Sequence, residues 1–178
     1  GGAITILGDA TISDSIFTDC YSSYDSGAIY AYIGKISNCN FTNCFATACG
    51  AIMIAEGDVK YCNFTNCYAK GTNSSMAGAL FIAEGDVEYC NFTNCYAQGT
   101  NSMGGAICRV ADYTDGDITN CNFVNCYTTA TNTSLGGAIF NCAIATSGIT
   151  GHDSDCSIKL SNFTNCYAQG NNESEGGA

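Results

Sequence analysis

Cysteine dominates the chemistry this chain could do. CNFTNC fills positions 39–44, 62–67 and 90–95, CNFVNC fills 121–126, and two outer copies read SIFTDC at 15–20 and SNFTNC at 161–166. Two columns of thiols result. Cys20, Cys44, Cys67, Cys95, Cys126 and Cys166 close the copies, while Cys39, Cys62, Cys90 and Cys121 open the inner ones, with Ser15 and Ser161 in the outer two. Such thiols can act as buried apolar rungs, pair as disulfides or bind a soft metal. Zinc is disfavoured, because cysteines five apart lack the spacing of zinc ribbons and His152 is the single histidine.

Two smaller sets could also react. His152 lies in GHDSDC beside Asp153, Asp155 and Cys156, letters that suit a Cys-His or His-Asp site but equally a polar insertion. Glu56, Asp58, Glu84 and Asp86 come from a repeated AEGD, with Arg109 and Asp112 following. Clustered carboxylates beside a cation are what polysaccharide lyases and hydrolases need, and four on one edge could hold Ca²⁺. Repeated solvated turns explain the same letters more simply. The expectation is therefore no catalytic residue and no cofactor, Ca²⁺ being the one ion these carboxylates could take.

The elements that position these residues come from an internal repeat. Phe17, Phe41, Phe64, Phe92, Phe123 and Phe163 recur at intervals of 24, 23, 28, 31 and 40 residues, the mark of one structural unit being stacked. Each repeat starts with Gly-Ala-aliphatic, from Gly2-Ala3-Ile4 to Gly137-Ala138-Ile139, and an unfinished copy stands at Gly177-Ala178. A short β-rich run follows, then a turn such as Gly57-Asp58 or Gly85-Asp86, a segment led by Ile36, Val59, Val87, Ile118 or Ile158, and the CNFTNC strand. A polar loop of varying length, as at 69–77 and 97–104, returns the chain to the next Gly-Ala. Three short strands per turn, with no helical period, predict an all-β parallel β-helix of six to seven coils about 4.8 Å apart. Residues 1–178 would form one such domain. The chain lacks a starting Met and opens and closes on the motif that separates its repeats, so we expect a segment of a longer array.

In-register stacking makes columns. The six phenylalanines should form an inward ladder, each burying apolar surface worth about 2 kcal/mol. Asn43, Asn66, Asn94, Asn125 and Asn165, with Asp19 at the sixth place, should form a corner ladder, since Asn tolerates left-handed backbone and bonds to the amide above and below. A disulfide within one CNFTNC would have to close about 16 Å of strand, whereas bridges between neighbouring coils meet the Cα limit and need only a local shift. Reduced rungs and such inter-coil bridges both stay open. Cys49, Cys108, Cys142 and Cys156 lie off the columns and are better placed to tie down loops. With Ile4, Ile29, Ile52, Leu80, Ile107 and Ile139 inward, the outward column is Thr5, Tyr30, Met53, Phe81, Cys108 and Phe140. That apolar stripe, Tyr30, Met53, Phe81 and Phe140 above all, is expected to pack on another protomer or an unseen part of the chain.

Charge and composition narrow the partners. Sixteen Asp and Glu against five Lys and Arg give a net charge of −11, which repels nucleic acid and anionic lipid. No apolar run approaches the roughly 18 residues of a membrane span. Fourteen cysteines approach the density of secreted scaffolds. Sequons occur at Asn40, Asn63, Asn73, Asn91, Asn132, Asn162 and Asn172. Of these, Asn73, Asn132 and Asn172 are the candidate glycan acceptors in the loops.

The pairing of GGA[I/L] with a Phe-centred FTN motif resembles the repeats of the polymorphic outer-membrane proteins of chlamydiae, and is similar to adhesin-like surface proteins of methanogenic archaea and certain parasitic protists. The likeness covers the whole chain. It implies a right-handed parallel β-helix displayed on the cell surface with a role in adhesion, and it carries no catalytic residues. One departure is that the third place after Phe, Asn in FxxN, is Cys here. The expected function is thus an extracellular structural or adhesive segment, part of a cell-surface adhesin or a filament subunit that self-associates. Its partners would be its own neighbouring repeats or a host or cell-surface glycan or protein. A carbohydrate-active β-helix enzyme is the alternative. An ice-binding face would need an unbroken Thr array, and Val124 interrupts the one formed by Thr42, Thr65, Thr93 and Thr164.

Overall fold

A computed structural model describes residues 1–111, 116–143 and 156–177. The described residues are all-β and contain no helix, hence none long and apolar enough to cross a membrane. Every strand pairing is parallel, in three sheets of nine, six and seven strands. In the six-stranded sheet, Ile16–Thr18, Asn40–Thr42, Asn63–Thr65, Asn91–Thr93, Asn122–Val124 and Asn162–Thr164 lie in sequence order. Phe pairs with Phe at each step, for example Phe41 with Phe64 and Phe64 with Phe92. Each repeat therefore lies on the one before it.

Two left-handed residues bound each FTN strand and explain the spacing of the cysteines. Asn38 and Asn43 both have φ of 54° around Asn40–Thr42, and Asn120 and Asn125 repeat this around Asn122–Val124. Asn adopts that conformation at little cost, so the chain turns a corner on either side of a three-residue strand. Each column cysteine directly follows one of these corners and points into the core.

The core is a set of columns. Phe41, Phe64, Phe92 and Phe123 are fully buried, and the six rings stack with centroids 4.7–5.0 Å apart and planes within 8°. Ile29, Ile52, Leu80 and Ile107 form a second buried column. Glycine in the Gly-Ala start is required by close approach: a Cβ on Gly50 would overlap the carbonyl of Gly78, and one on Gly78 that of Gly105.

The structure revises the expected elements in two places. The Gly-Ala run and the segment after the turn belong to one sheet, and in the early repeats to one strand, Ile29–Ser37 and Ile52–Lys60. The third sheet comes instead from the stretch read as a polar return loop, with Tyr68–Lys70, Tyr96–Met103, Tyr127–Leu135 and Tyr167–Gly170 as its main strands. Small side chains hide its inward face from a hydrophobicity pattern: Ala69, Ala97, Ser75, Ser102 and Ser134 are all buried. The apolar outward stripe is partly covered by the chain itself. Met53, Phe81 and Phe140, with Met76 and Met103, are half-buried against the fully buried Cys49, Ala77 and Cys108 of the same chain. Tyr30 is half-buried beside Met53 in the same column.

Candidate functional site

Three consecutive residues in each repeat build the most regular surface feature. After each of these strands the order is Asn, or Asp19 in the first repeat, then Cys, then Tyr or Phe, as in Asn94-Cys95-Tyr96. The left-handed Asn exposes its amide, the Cys buries its thiol, and the aromatic residue starts the third sheet with its ring on the outer side.

The amides form a continuous ladder. Asn66 Nδ2 donates to Asn43 Oδ1 at 3.3 Å, Asn94 to Asn66 at 3.1 Å, Asn125 to Asn94 at 3.0 Å and Asn165 to Asn125 at 3.2 Å. At the far end Asn43 Nδ2 donates to the Asp19 carboxylate at 3.0 Å. A second amide ladder, outside the sequence reading, runs through Asn40, Asn63, Asn91, Asn122 and Asn162 at 2.8–2.9 Å. A third joins Asn101, Asn132 and Asn172 at 2.9 and 2.6 Å. The candidate acceptors Asn132 and Asn172 thus already use Nδ2 as a ladder donor, whereas Asn73 is exposed at a loop.

A second aromatic column was also missed. Tyr21, Phe45, Tyr68, Tyr96, Tyr127 and Tyr167 stack with centroids 4.6–5.0 Å apart. The signal was present, because an aromatic residue follows every closing cysteine. Assigning that stretch to a loop concealed it. Burial, then the neighbouring phenols, raise the pKa of Tyr96, and the same causes raise that of Tyr127. Between the Asn ladder and this column runs a groove of about 840 Å³ that spans all six repeats.

The thiols lie behind this groove. Cys44, Cys67, Cys95 and Cys126 are fully buried, as are Cys39, Cys62, Cys90 and Cys121. Each Sγ lies near two carbonyls, its own i−2 and one from the preceding repeat: Cys67 reaches Phe41 O at 3.5 Å and Thr65 O at 3.7 Å. Ser15 and Ser161 take the same place in the shorter column, donating to Ser13 O at 2.7 Å and Lys159 O at 3.0 Å. The Cys44 and Cys95 thiols on either side lower the pKa of Cys67, while Cys44 is pushed up by its Cys67 contact and by burial, and Cys95 by burial and then by its thiol neighbours. One thiolate in a column therefore opposes a second beside it. Cys49, fully buried, donates to Ile52 O at 2.8 Å, and burial pushes it up to about 12. Cys156 is half-buried, and His152, Asp153 and Asp155, like Asp112, lie outside the described residues.

The carboxylates meet around a smaller cleft of about 310 Å³ lined by Glu56, Asp58, Glu84 and Asp86 with their turn glycines. Lys60 stands among them, 3.5 Å from Asp58, 3.8 Å from Asp86 and 3.4 Å from Glu88. Asp58 Oδ1 accepts the Asp86 amide at 3.1 Å and Asp86 Oδ1 that of Asp117 at 2.9 Å, so these side chains also tie repeat to repeat. Arg109 is fully buried, and its guanidinium donates to Gly116 O at 2.9 Å and Gly85 O at 2.6 Å. It braces the turns from below instead of facing the cleft. Among the described residues no three Cys, His, Asp or Glu side chains converge on a point that could hold a metal ion. Comparisons of the chain with protein-family models, with curated proteins and with solved structures each give no match, so its own residues carry the functional argument.

Proposed function

We propose that the chain is a right-handed parallel β-helix of six to seven coils that acts outside the cell as a structural or adhesive segment, in a surface adhesin or as a filament subunit. The observation that supports this most is repetition itself. The same residue types occupy the same columns from the first repeat to the last, with rings 4.6–5.0 Å apart and amides bonded from one repeat to the next. A catalytic site needs a few residues that differ from their surroundings, whereas a rod needs every turn to be alike. Right-handedness follows from the rule for crossovers between parallel strands of one sheet, which holds in about 98 per cent of cases. Export is consistent with the sequons and the cysteine content. Displayed on a surface, such a rod offers its grooves and loops to a glycan or protein partner, or its sides to copies of itself.

Electron microscopy of native material, with intact mass under non-reducing conditions on the same sample, tests this reading. Ordered fibres, or rods attached to cells, are the expected result. The mass also reports whether neighbouring column thiols are joined. Depolymerisation of an acidic polysaccharide by the purified chain, abolished by Asp58→Asn or Asp86→Asn, would overturn the reading in favour of an enzyme.

A further inference from the structure

The groove between the Asn ladder and the outer aromatic column has a chemistry that selects its occupant. We propose that it binds an extended, uncharged β-linked glycan chain, about one sugar to each repeat. This inference rests on the reading of the chain as an adhesive segment and locates its ligand site.

Hydrogen-bonding capacity is the first argument. A side-chain amide has two N–H donors and an oxygen with two lone pairs. Each ladder Asn uses one donor and one lone pair on its neighbours, as Asn94 does with Asn66 and Asn125 at 3.1 and 3.0 Å. The other N–H and the other lone pair take no side-chain partner among the described residues, and Asn43, Asn66, Asn94, Asn125 and Asn165 are all exposed. The wall thus presents a donor and an acceptor together in each of the five repeats that carry Asn, with Asp19 as an acceptor at the end. Hydroxyl groups, which both donate and accept, match that offer.

The opposite wall is apolar and directional. Its rings stack face to face with planes within 7° over Phe45, Tyr68, Tyr96, Tyr127 and Tyr167, so the groove meets ring edges. Edges carry the positive rim of the aromatic quadrupole and favour oxygen atoms over cations. Charge points the same way. Asp19 at one end is the charged residue of the groove, and the chain carries −11 overall, which repels acidic polysaccharides and nucleic acid.

Period separates a glycan from a peptide. The aromatic wall repeats every 4.6–5.0 Å, and the Asn wall advances by one residue in step with it. A peptide strand laid along the groove advances about 3.3 Å per residue and presents like side chains every second residue, so it falls out of phase with the ladder at once. A flat β-linked chain advances by about the length of one pyranose ring per sugar, close to the repeat of the wall, and although alternate sugars turn over, each of its edges carries hydroxyl groups that can donate and accept. The volume of about 840 Å³ lies within the range of small-molecule sites, about 300 to 1,000 Å³.

Calorimetric titration of the full chain with neutral β-1,4-linked glucose and N-acetylglucosamine oligomers, from disaccharide to octasaccharide, tests the proposal. Affinity is expected to rise with length and level off near the hexasaccharide. Asn94→Asp removes the outward N–H together with the rung bond to Asn66 Oδ1, so binding should weaken at least about ten-fold. Asn91→Asp makes the same change in the ladder outside the groove and should leave binding unaltered. Affinity that is independent of length, or equal losses in the two variants, overturns the proposal, and the length series needs no variant to fold. Failure of every neutral glycan to bind, while microscopy still shows cell-attached rods, removes the ligand and leaves the surface role standing. Light scattering that finds a dimer broken by Asn94→Asp would instead assign the groove to a second copy.

Discussion

Leu160 holds a left-handed φ of 51° and is 81% exposed, in a column where Asn38 and Asn120 hold φ of 54°. A branched aliphatic residue pays about 1 to 2 kcal/mol for that conformation, and so little packing returns the cost. Leu160→Asn should stabilise the chain by about 1 kcal/mol, measured as a higher denaturant midpoint. Tyr61 and Tyr89 share the same strain, but their rings stack at 4.9 Å, an interaction of about 0.5 to 1.5 kcal/mol that offsets it. Cys49 governs a second test. Its thiol is held up to about 12 in the folded chain, against about 8.5 when unfolded. Its contribution is complete below about pH 8.5 and is lost as pH rises towards 12, at about 1.4 kcal/mol per unit. Unfolding midpoints under reductant should therefore fall from pH 9 to 11, and Cys49→Ala should make that fall shallower. At this scale the sequence was informative wherever residues keep a fixed distance from Phe, as with Asn94 two residues beyond Phe92. It was silent on φ at Tyr61 or Leu160, because the residue type there contradicts the conformation.

The FTN strands were legible because an Asn or Asp corner followed by a cysteine closes each of them. The third sheet was not, since its inward positions are Ala, Ser and Thr and, beyond one outward ring per repeat, its outer positions are Gln, Lys and Thr, which match no apolar alternation. Its strands are held by backbone pairing to their neighbours, such as Tyr96 to Tyr68 and Tyr127, and by buried hydroxyls such as Ser75, which donates to Gln98 O at 2.8 Å. The Gly-Ala starts are where this packing is tightest. Gly78→Ala would force a methyl against the carbonyl of Gly105 and should cost about 1 to 3 kcal/mol or more, whereas Gly8, with open space around it, should accept Ala within about 0.5 kcal/mol. Thermal melts of the two variants side by side check the contrast.

Among the described residues, each repeat pairs its strands with those of its neighbours, so stability is shared along the axis. Amide exchange should be slowest around Phe64 and Phe92, both fully buried, and faster towards the first and last repeats. Phe92→Ala should cost about 3 to 5 kcal/mol and divide the protected region in two, a result a single cooperative globule would not give. The solenoid-like order was legible from the Phe spacing alone, while the grooves were not, because they depend on how successive corners sit against each other. The amide ladders have one more property. In every rung described above, the later Asn gives its N–H to the earlier one, from Asn43 onto Asp19 through to Asn165 onto Asn125, and likewise from Asn63 to Asn162 and from Asn132 to Asn172. Small amide dipoles that all point the same way add along the axis, as peptide dipoles do in a helix. The molecule is therefore an arrow: anything that lies along it, including a copy of itself, meets a different surface when it is reversed.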